Sequence, residues 1–259
     1  MAKSVVDPLP RAAAAQAGAE AAAEPGGYFH WSRDAAVGLF AVLPLWLVYQ
    51  ALRAALAPED RNGAEVLLLQ QLRRLGDVGH IVLSIGFCVL LVLATRSLVR
   101  RQVPWLRVVG VIAIEGTVYA LMLGPLSQQM AASASRVLSM GAIHSTLTAN
   151  LVGSLGAGIY EELVFRLGLM SALVWIGLFA VRAWSLPRWL AGAFAVLVSA
   201  LVFSWFHHLC GEPFDRARFQ FRTMAGVLLG VLMWVRGYGV CVYTHTIYNF
   251  YYYVSTDGQ

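Results

Sequence analysis

The stretch GIYEELVFR, residues 158–166, places two glutamates and an arginine inside an apolar segment. At α-helical spacing Glu162 and Arg166 are i and i+4 neighbours and can pair on one face, whereas Glu161 lies about 100° around the helix and points elsewhere. Ionisable groups at membrane depth are costly and usually face the interior of a helix bundle or a water-filled cavity. We therefore predict a functional site here, with Glu161 as its reactive carboxylate. The alternative is that both glutamates only pair with arginines and lock the packing of helices.

The composition of the chain defines its class. Hydrophobic residues make up 59% of its 259 residues and charged residues only 13%, which is typical of a polytopic membrane protein. We predict an all-α transmembrane bundle of about seven to eight membrane helices with a polar intramembrane cavity. The arginines behind the net charge of +5 lie between apolar spans, where positive charge sets topology, so no nucleic-acid partner is expected. The three cysteines show no CxxC spacing and indicate neither a disulfide framework nor a thiolate zinc site.

The chain divides into three regions within a single integral membrane domain. Residues 1–28, rich in alanine, are predicted to form a flexible N-terminal tail. Residues 29–146 are predicted to form N-terminal membrane helices with an interfacial amphipathic segment at 58–75. Residues 147–259 are predicted to carry the catalytic membrane helices.

Two features of these spans stand out. The apolar segment 147–181 is too long for one perpendicular crossing at about 1.5 Å per residue, so it must tilt, break or re-enter. Glu115 is a lone acid in the third span. It either pairs with a buried arginine or histidine, or it is satisfied by headgroups or a local hydroxyl.

Two further helices carry polar groups at the predicted depth of Glu161. One ends with His207, four residues after Phe203, and the last span carries His245 four residues before Asn249. Taken alone, His207 could face headgroups and the His245–Asn249 face could be an interhelical hydrogen-bond pair. Together with Glu161 they supply a general base, a second acid/base or ligand, and neutral donors, which is the set that peptide hydrolysis needs.

Three motifs, in order on successive apolar helices, resemble those of the CPBP family of intramembrane proteases, which includes the type II CAAX prenyl endopeptidases and bacteriocin-processing homologues. They are Glu161-Glu162-x-x-x-Arg166, Phe203-x-x-x-His207 and His245-x-x-x-Asn249. The resemblance covers about residues 145–253 and implies an intramembrane endopeptidase. It implies further that Glu161 and His207 activate the attacking water, and that His245 and Asn249 stabilise the oxyanion.

The resemblance also bears on the remaining site residues and on a cofactor. Glu162 and Arg166 would support the site structurally. Family members have been called metalloproteases, and a metal-free, glutamate-dependent mechanism is also argued for them. The sequence has no HExxH motif, but Glu161, His207 and His245 could form a three-ligand zinc site. No cofactor is therefore certain, and zinc is the candidate.

The expected substrate is a membrane-associated protein or peptide cut near its C-terminus, either a CAAX tail or a C-terminal sorting signal. The expected location is the cell (inner) membrane, with several passes through the lipid bilayer. If the arginines at 96–107 are cytoplasmic, the site faces the outer side, which favours sorting-signal tails. An ion-coupled transporter and a non-catalytic membrane scaffold are the alternative functions.

Overall fold

The computed structural model describes residues 26–53, 62–74, 76–131, 147–210 and 212–256. Of these described residues 89% are helical and none is in a strand, so the predicted all-α fold is confirmed. The helices are α1 (Tyr28–Trp31), α2 (Ala35–Arg53), α3 (Gly63–Arg74), α4 (Gly76–Arg100), α5 (Trp105–Met130), α6 (Leu147–Gly156), a π segment (Ala157–Met170), α7 (Ser171–Ala183), α8 (Trp189–Leu209), α9 (Arg216–Arg236) and α10 (Tyr238–Thr256).

Within the described residues, four helical runs are long and apolar enough to cross a membrane. They are Ala35–Leu52, Trp105–Met130, Leu147–Ala183 and Trp189–Leu209. Segments of this length and composition are stable in lipid because a helix satisfies its own backbone polar groups. The chain is therefore a membrane protein. The described residues do not confirm the predicted seven to eight membrane helices or the polar cavity.

The third of these runs is helical without interruption over 37 residues. At about 1.5 Å per residue it would reach roughly 55 Å, well beyond the roughly 30 Å hydrocarbon core of a bilayer. A break in this segment was one of the predicted outcomes, and it does not occur. The run instead changes its hydrogen-bonding pattern and becomes a π-helix over Ala157–Met170. Such wide turns are uncommon and are frequently found at functional sites.

The last helix, α10, lies at the centre of the bundle and packs against α2, α5, α6, α9 and the π segment. Two glycines allow its backbone to approach closely. A Cβ atom on Gly158 of the π segment would lie 1.9 Å from Oγ1 of Thr246, and one on Gly116 of α5 would lie 2.6 Å from Cβ of Tyr243. Because Gly158 and Thr246 touch, the residues that follow Gly158 lie beside the residues around Thr246.

The predicted interfacial segment at 58–75 contains α3, whose first turn is buried rather than exposed at an interface. Ala64 and Glu65 are almost fully buried, so one face of α3 packs into the bundle. Residues 58–61 of this segment and residues 1–25 of the predicted tail lie outside the described residues.

Candidate active site

Glu162 is the most enclosed carboxylate of the site. It is fully buried, and its Oε2 lies 3.2 Å from Nε of Arg166, which is also fully buried. The same oxygen accepts a hydrogen bond of 3.0 Å from the thiol of Cys241, and Oε1 lies 2.6 Å from Nδ1 of His245. The predicted Glu162–Arg166 pair is present, and hydrogen bonds from Cys241 and His245 satisfy its carboxylate.

The Arg166 side chain connects this pair to the second motif. Its guanidinium carbon lies 4.3 Å from the centre of the Phe203 ring, a cation–π distance. Phe203 in turn contacts the rings of His207 and His245 edge-on, at centroid distances of 5.0 and 6.1 Å. The aromatic ring of the motif therefore lies between the buried cation and both imidazoles.

Glu161 is buried and lies between the two histidines. Its Oε1 is 4.0 Å from Nε2 of His207, and its Oε2 is 3.8 Å from Nε2 of His245. Its Oε1 also accepts a hydrogen bond of 2.7 Å from the side-chain amide of Asn62. Glu161 is therefore not free, because Asn62 holds its carboxylate.

From α-helical spacing we predicted that Glu161 and Glu162 point in different directions. In the structure both face the ring of His245. Glu162 faces Nδ1 of His245 and Glu161 faces Nε2 of the same ring. In a π-helix each turn contains more residues, so neighbouring side chains diverge by less than the 100° of an α-helix. The π segment thereby brings both carboxylates to one imidazole.

The hydrogen-bond partners of the two histidines indicate where one ring hydrogen lies. Nδ1 of His207 lies 3.0 Å from the backbone oxygen of Phe203, and Nδ1 of His245 lies against Glu162. A carbonyl or carboxylate oxygen only accepts, so each Nδ1 carries its hydrogen and donates it. Both rings therefore present Nε2 to Glu161.

This cluster lies within a stretch that matches a known family. Residues 143–251 match the family model described as type II CAAX prenyl endopeptidase Rce1-like. The relationship to type II CAAX prenyl endopeptidases that the three motifs predicted is confirmed over these residues. Together with the apolar helices, the match supports an intramembrane protease in general. No curated protein and no solved structure matches the chain.

Two polar residues of the Rce1-like region lie outside the contacts of Glu161. Asn249 is half-buried on α10, one turn beyond His245, and its side chain makes no hydrogen bond to the part of the chain that the structure describes. His208, the neighbour of His207, packs among aromatic rings with its centroid 5.1 Å from that of Phe214. The spacing from Phe203 had selected His207 over His208, and it is His207 that faces Glu161.

Zinc was a possible cofactor, with Glu161, His207 and His245 as its candidate ligands. Within the described ranges, no group of three or more His, Cys, Asp and Glu side chains is placed to hold a metal ion. Glu161, His207 and His245 nevertheless converge, with facing atoms separated by 3.8 and 4.0 Å. A cofactor for this site remains a prediction that only an experiment tests.

Sequence reasoning missed two partners of the glutamates. Cys241 lies four residues before His245, so its position on the same face of the last helix was a signal that could have revealed it. Asn62 lies 99 residues before Glu161 and outside the Rce1-like region. A polar residue just before an amphipathic helix is normally interpreted as a helix cap. No pattern in the sequence indicated that Asn62 also contacts Glu161.

A second ion pair borders the site. Arg222 of α9 is bidentate on Glu212, with distances of 2.5 and 2.9 Å. The hydrogen bond from Arg222 holds the pKa of Glu212 below its usual range, against the opposing effect of burial. The pair fastens the loop after α8 to α9, and thus supports the helix end that carries His207.

Glu115 forms a separate cluster with Arg236 at the opposite end of α9 from Arg222. Its two oxygens lie 2.6 and 2.8 Å from Nε and Nη2 of Arg236, and the hydroxyl of Tyr28 donates to the same carboxylate. Of the two interpretations of Glu115, pairing with a buried arginine is confirmed. The cluster ties α1, α5 and α9 together and does not contact Glu161.

Proposed function

We propose that the chain is an intramembrane endopeptidase that cuts a membrane-associated protein or peptide near its C-terminus, using a water activated by Glu161 and His207. The observation that carries this proposal is the placement of one buried carboxylate opposite Nε2 of two imidazoles, at 4.0 and 3.8 Å. The three side chains come from three different helical segments. Ionisable groups in an apolar interior cost folding free energy, and a functional role explains why the protein keeps them together.

The attacking water fits between Glu161 and His207. Their separation of 4.0 Å is too long for a direct hydrogen bond and short enough for one water to contact both groups. Such a water donates one hydrogen to the carboxylate and the other to the unprotonated Nε2, and its lone pairs remain free to attack a carbonyl carbon. As the new C–O bond forms, Glu161 takes a proton from the water. It returns this proton to the leaving amine when the C–N bond breaks.

The negative oxygen that forms in this step requires donors. We assign this role to His245, protonated on both nitrogens, and to Asn249, one helical turn further on. Glu162 accepts from Nδ1 of His245 at 2.6 Å, so it both orients the ring and stabilises its positive charge. Fixed donors in a site that excludes bulk water stabilise an oxyanion by about 3–4 kcal/mol each. Arg166 acts by balancing the charge of Glu162.

The cell (inner) membrane, crossed several times, is the proposed location, and the lipid bilayer is the surrounding medium. The arginines at 96–107 favour an orientation in which Glu161 faces the outer leaflet. This supports C-terminal sorting signals of exported proteins over cytoplasmic CAAX tails as substrates. Labelling of single cysteines placed at the two ends of α8 tests the orientation, and a cytoplasmic location of the Glu161 end would overturn this choice of substrate.

Cleavage by the purified full-length chain tests the function. The substrates are membrane peptides with a prenylated CAAX end or with an apolar C-terminal sorting helix, and the variants are Glu161→Gln and, as a matched control on another intramembrane glutamate, Glu115→Gln. We expect Glu161→Gln to lower kcat by about 10²–10⁴-fold, and Glu115→Gln to cleave like wild type at a temperature where it is folded. Cleavage that survives in Glu161→Gln would refute the assignment.

The same assay addresses the cofactor and the alternative functions. We expect a zinc chelator to leave cleavage unchanged, and loss of cleavage with recovery on adding zinc would establish a metal-dependent reaction. If the folded wild type cuts none of the peptides, proton-coupled uptake that depends on Glu161 would indicate a transporter. Binding of a membrane protein that persists in Glu161→Gln would indicate a scaffold.

A further inference from the structure

Asn62 links the carboxylate of Glu161 to a helix outside the Rce1-like region. Its Nδ2 donates a hydrogen bond of 2.7 Å to Oε1 of Glu161. Its Oδ1 accepts a hydrogen bond of 2.9 Å from the backbone amide of Ala64 in the first turn of α3. One side chain thus uses its acceptor to cap a helix and its donors to hold the candidate base.

The position of Asn62 is restricted on both sides by close packing. A Cβ atom on Gly156, the last residue of α6, would lie 3.2 Å from Cβ of Asn62. On the other side, a Cβ atom on Gly63 would lie 3.0 Å from the sulfur of Cys210 and 3.5 Å from the ring of Phe206. Residues 62–63 therefore pack closely between the end of α6, just before the π segment, and the end of α8, which carries His207.

A buried hydrogen bond fastens the same turn of α3 at a second point. Glu65 is 1% exposed, and the hydroxyl of Tyr49 on α2 donates to its carboxylate. Since close contacts with three neighbouring helical segments determine where α3 begins, the amide of Asn62 cannot move away from Glu161 without a rearrangement of the packing.

We propose that Asn62 is a positioning residue for Glu161: it holds Oε1 at a fixed distance from Nε2 of His207, so that the attacking water is bound in one place. This inference rests on the proposed function. A neutral amide suits the role, because it orients a carboxylate without the counter-charge that would weaken it as a base. Asn62 does not touch the substrate and acts only through Glu161.

The first test separates orientation of Glu161 from support of α3. Asn62→Asp keeps an oxygen to cap Ala64 but has no donor for Glu161 when it is ionised, whereas Asn62→Ala loses both contacts. Gln70→Glu is the matched control, because Gln70 is exposed on the same helix and undergoes the same exchange of an amide for an acid. We expect Asn62→Asp to lower kcat about 10–100-fold with KM unchanged, and Gln70→Glu to retain wild-type kcat and KM.

The second test does not depend on cleavage. It measures the melting temperatures of wild type, Asn62→Asp, Glu161→Gln and the double variant at about pH 8, where exposed carboxylates are ionised. Two carboxylates in contact repel each other, whereas the amide introduced at position 161 in the double variant would donate to the new carboxylate at position 62. We therefore expect Asn62→Asp to lower the melting temperature by several degrees and Glu161→Gln to restore most of that loss in the double variant.

The outcomes distinguish the positioning role from the proposed function. Wild-type kcat in folded Asn62→Asp, or a rise in KM without a fall in kcat, would overturn the positioning role and leave the protease intact. Additive changes in melting temperature would show that the two side chains do not interact, and would also overturn it. A wild-type protein that cuts no peptide would overturn the proposed function and with it the positioning role, even where the melting temperatures establish the contact.

Discussion

The Nδ1 atom of His245 lies 2.6 Å from Oε1 of Glu162, and both side chains are buried. The contact joins α10 to the π segment and orients the imidazole so that its other nitrogen faces Glu161. Because Glu162 also balances the charge of Arg166, it contributes both to the stability of the fold and to the geometry of the site.

Replacement of Glu162 separates these two contributions. Glu162→Gln keeps the shape of the side chain but leaves Arg166 buried without its counter-ion, which costs about 3–5 kcal/mol of unfolding free energy. We expect the protein that still folds at low temperature to have a kcat lowered by about a hundredfold or more, since a neutral amide does not stabilise the positive charge of His245 as the Glu162 carboxylate does. Thermal unfolding and cleavage kinetics measure the two effects. Full kcat in the folded variant would show that Glu162 has no part in orienting His245.

A methyl group on Gly158 is predicted to separate α10 from the π segment. Its Cβ would lie 1.9 Å from Oγ1 and 2.9 Å from the backbone nitrogen of Thr246, so the backbone must shift. We expect Gly158→Ala to destabilise the fold by about 1–3 kcal/mol or more and to reduce cleavage, because Glu161 and His245 move apart. Thermal unfolding measures the first effect and cleavage kinetics the second.

Gly153 provides the matched control for this substitution. It lies on the same helical run, and a Cβ atom there would meet nothing within 4 Å. We expect Gly153→Ala to raise stability by up to about 1 kcal/mol, because alanine favours a helix over glycine. Equal melting temperatures for the two alanine variants would contradict the close approach at Gly158.

The Glu115–Arg236 pair is predicted to support the fold without taking part in the reaction. Glu115→Gln leaves the nearly buried guanidinium of Arg236 without its bidentate partner, which costs about 3 kcal/mol. Arg236→Lys should also destabilise, since an ammonium cannot reproduce the two parallel hydrogen bonds. We expect kcat at low temperature to match wild type in both variants. A large loss of kcat in the folded proteins would show that this cluster is coupled to the site.

Asp34, just before α2, is predicted to make stability depend on pH in the acid range. Burial acts to raise its pKa, but the hydrogen bonds from Arg101 and from the backbone of Val37 and Ala36 outweigh it, so the pKa lies below the usual value. Because the pKa is lower in the folded state, ionised Asp34 stabilises the fold above about pH 4, and this stabilisation is lost as the pH falls further.

The variant Asp34→Asn retains an oxygen for the backbone amides of α2 and loses the charge that pairs with Arg101. We expect its melting temperature to be slightly lower than wild type at neutral pH, because Arg101 is partly exposed and water screens the pair. The two proteins should converge below about pH 4. A constant difference between their melting temperatures down to the lowest pH would contradict an ionised Asp34 in this role.

Several parts of the site could be predicted from the sequence because they depend on local spacing. The pairing of Glu162 with Arg166 follows from four residues of helix, and the preference for His207 over its neighbour follows from its distance to Phe203. The long apolar run that begins at residue 147 follows from composition. The likeness to type II CAAX prenyl endopeptidases was visible because the three motifs occur in order.

Contacts between distant segments could not be predicted in this way. The bond from Asn62 to Glu161 joins residues 99 positions apart, and no periodicity relates them. The π-helical turn of residues 157–170 also has no signature in a single sequence, although it decides that Glu161 and Glu162 both reach His245.

By itself, therefore, the sequence determined which residues are polar in an apolar chain and which of them share a helical face, because hydrophobicity and helical period are local properties. Only the tertiary structure decided which faces meet. Backbone contact at Gly158 sets the distance between the π segment and α10, and the buried start of α3 places Asn62. Both depend on side chains packing at close range from segments far apart in the chain.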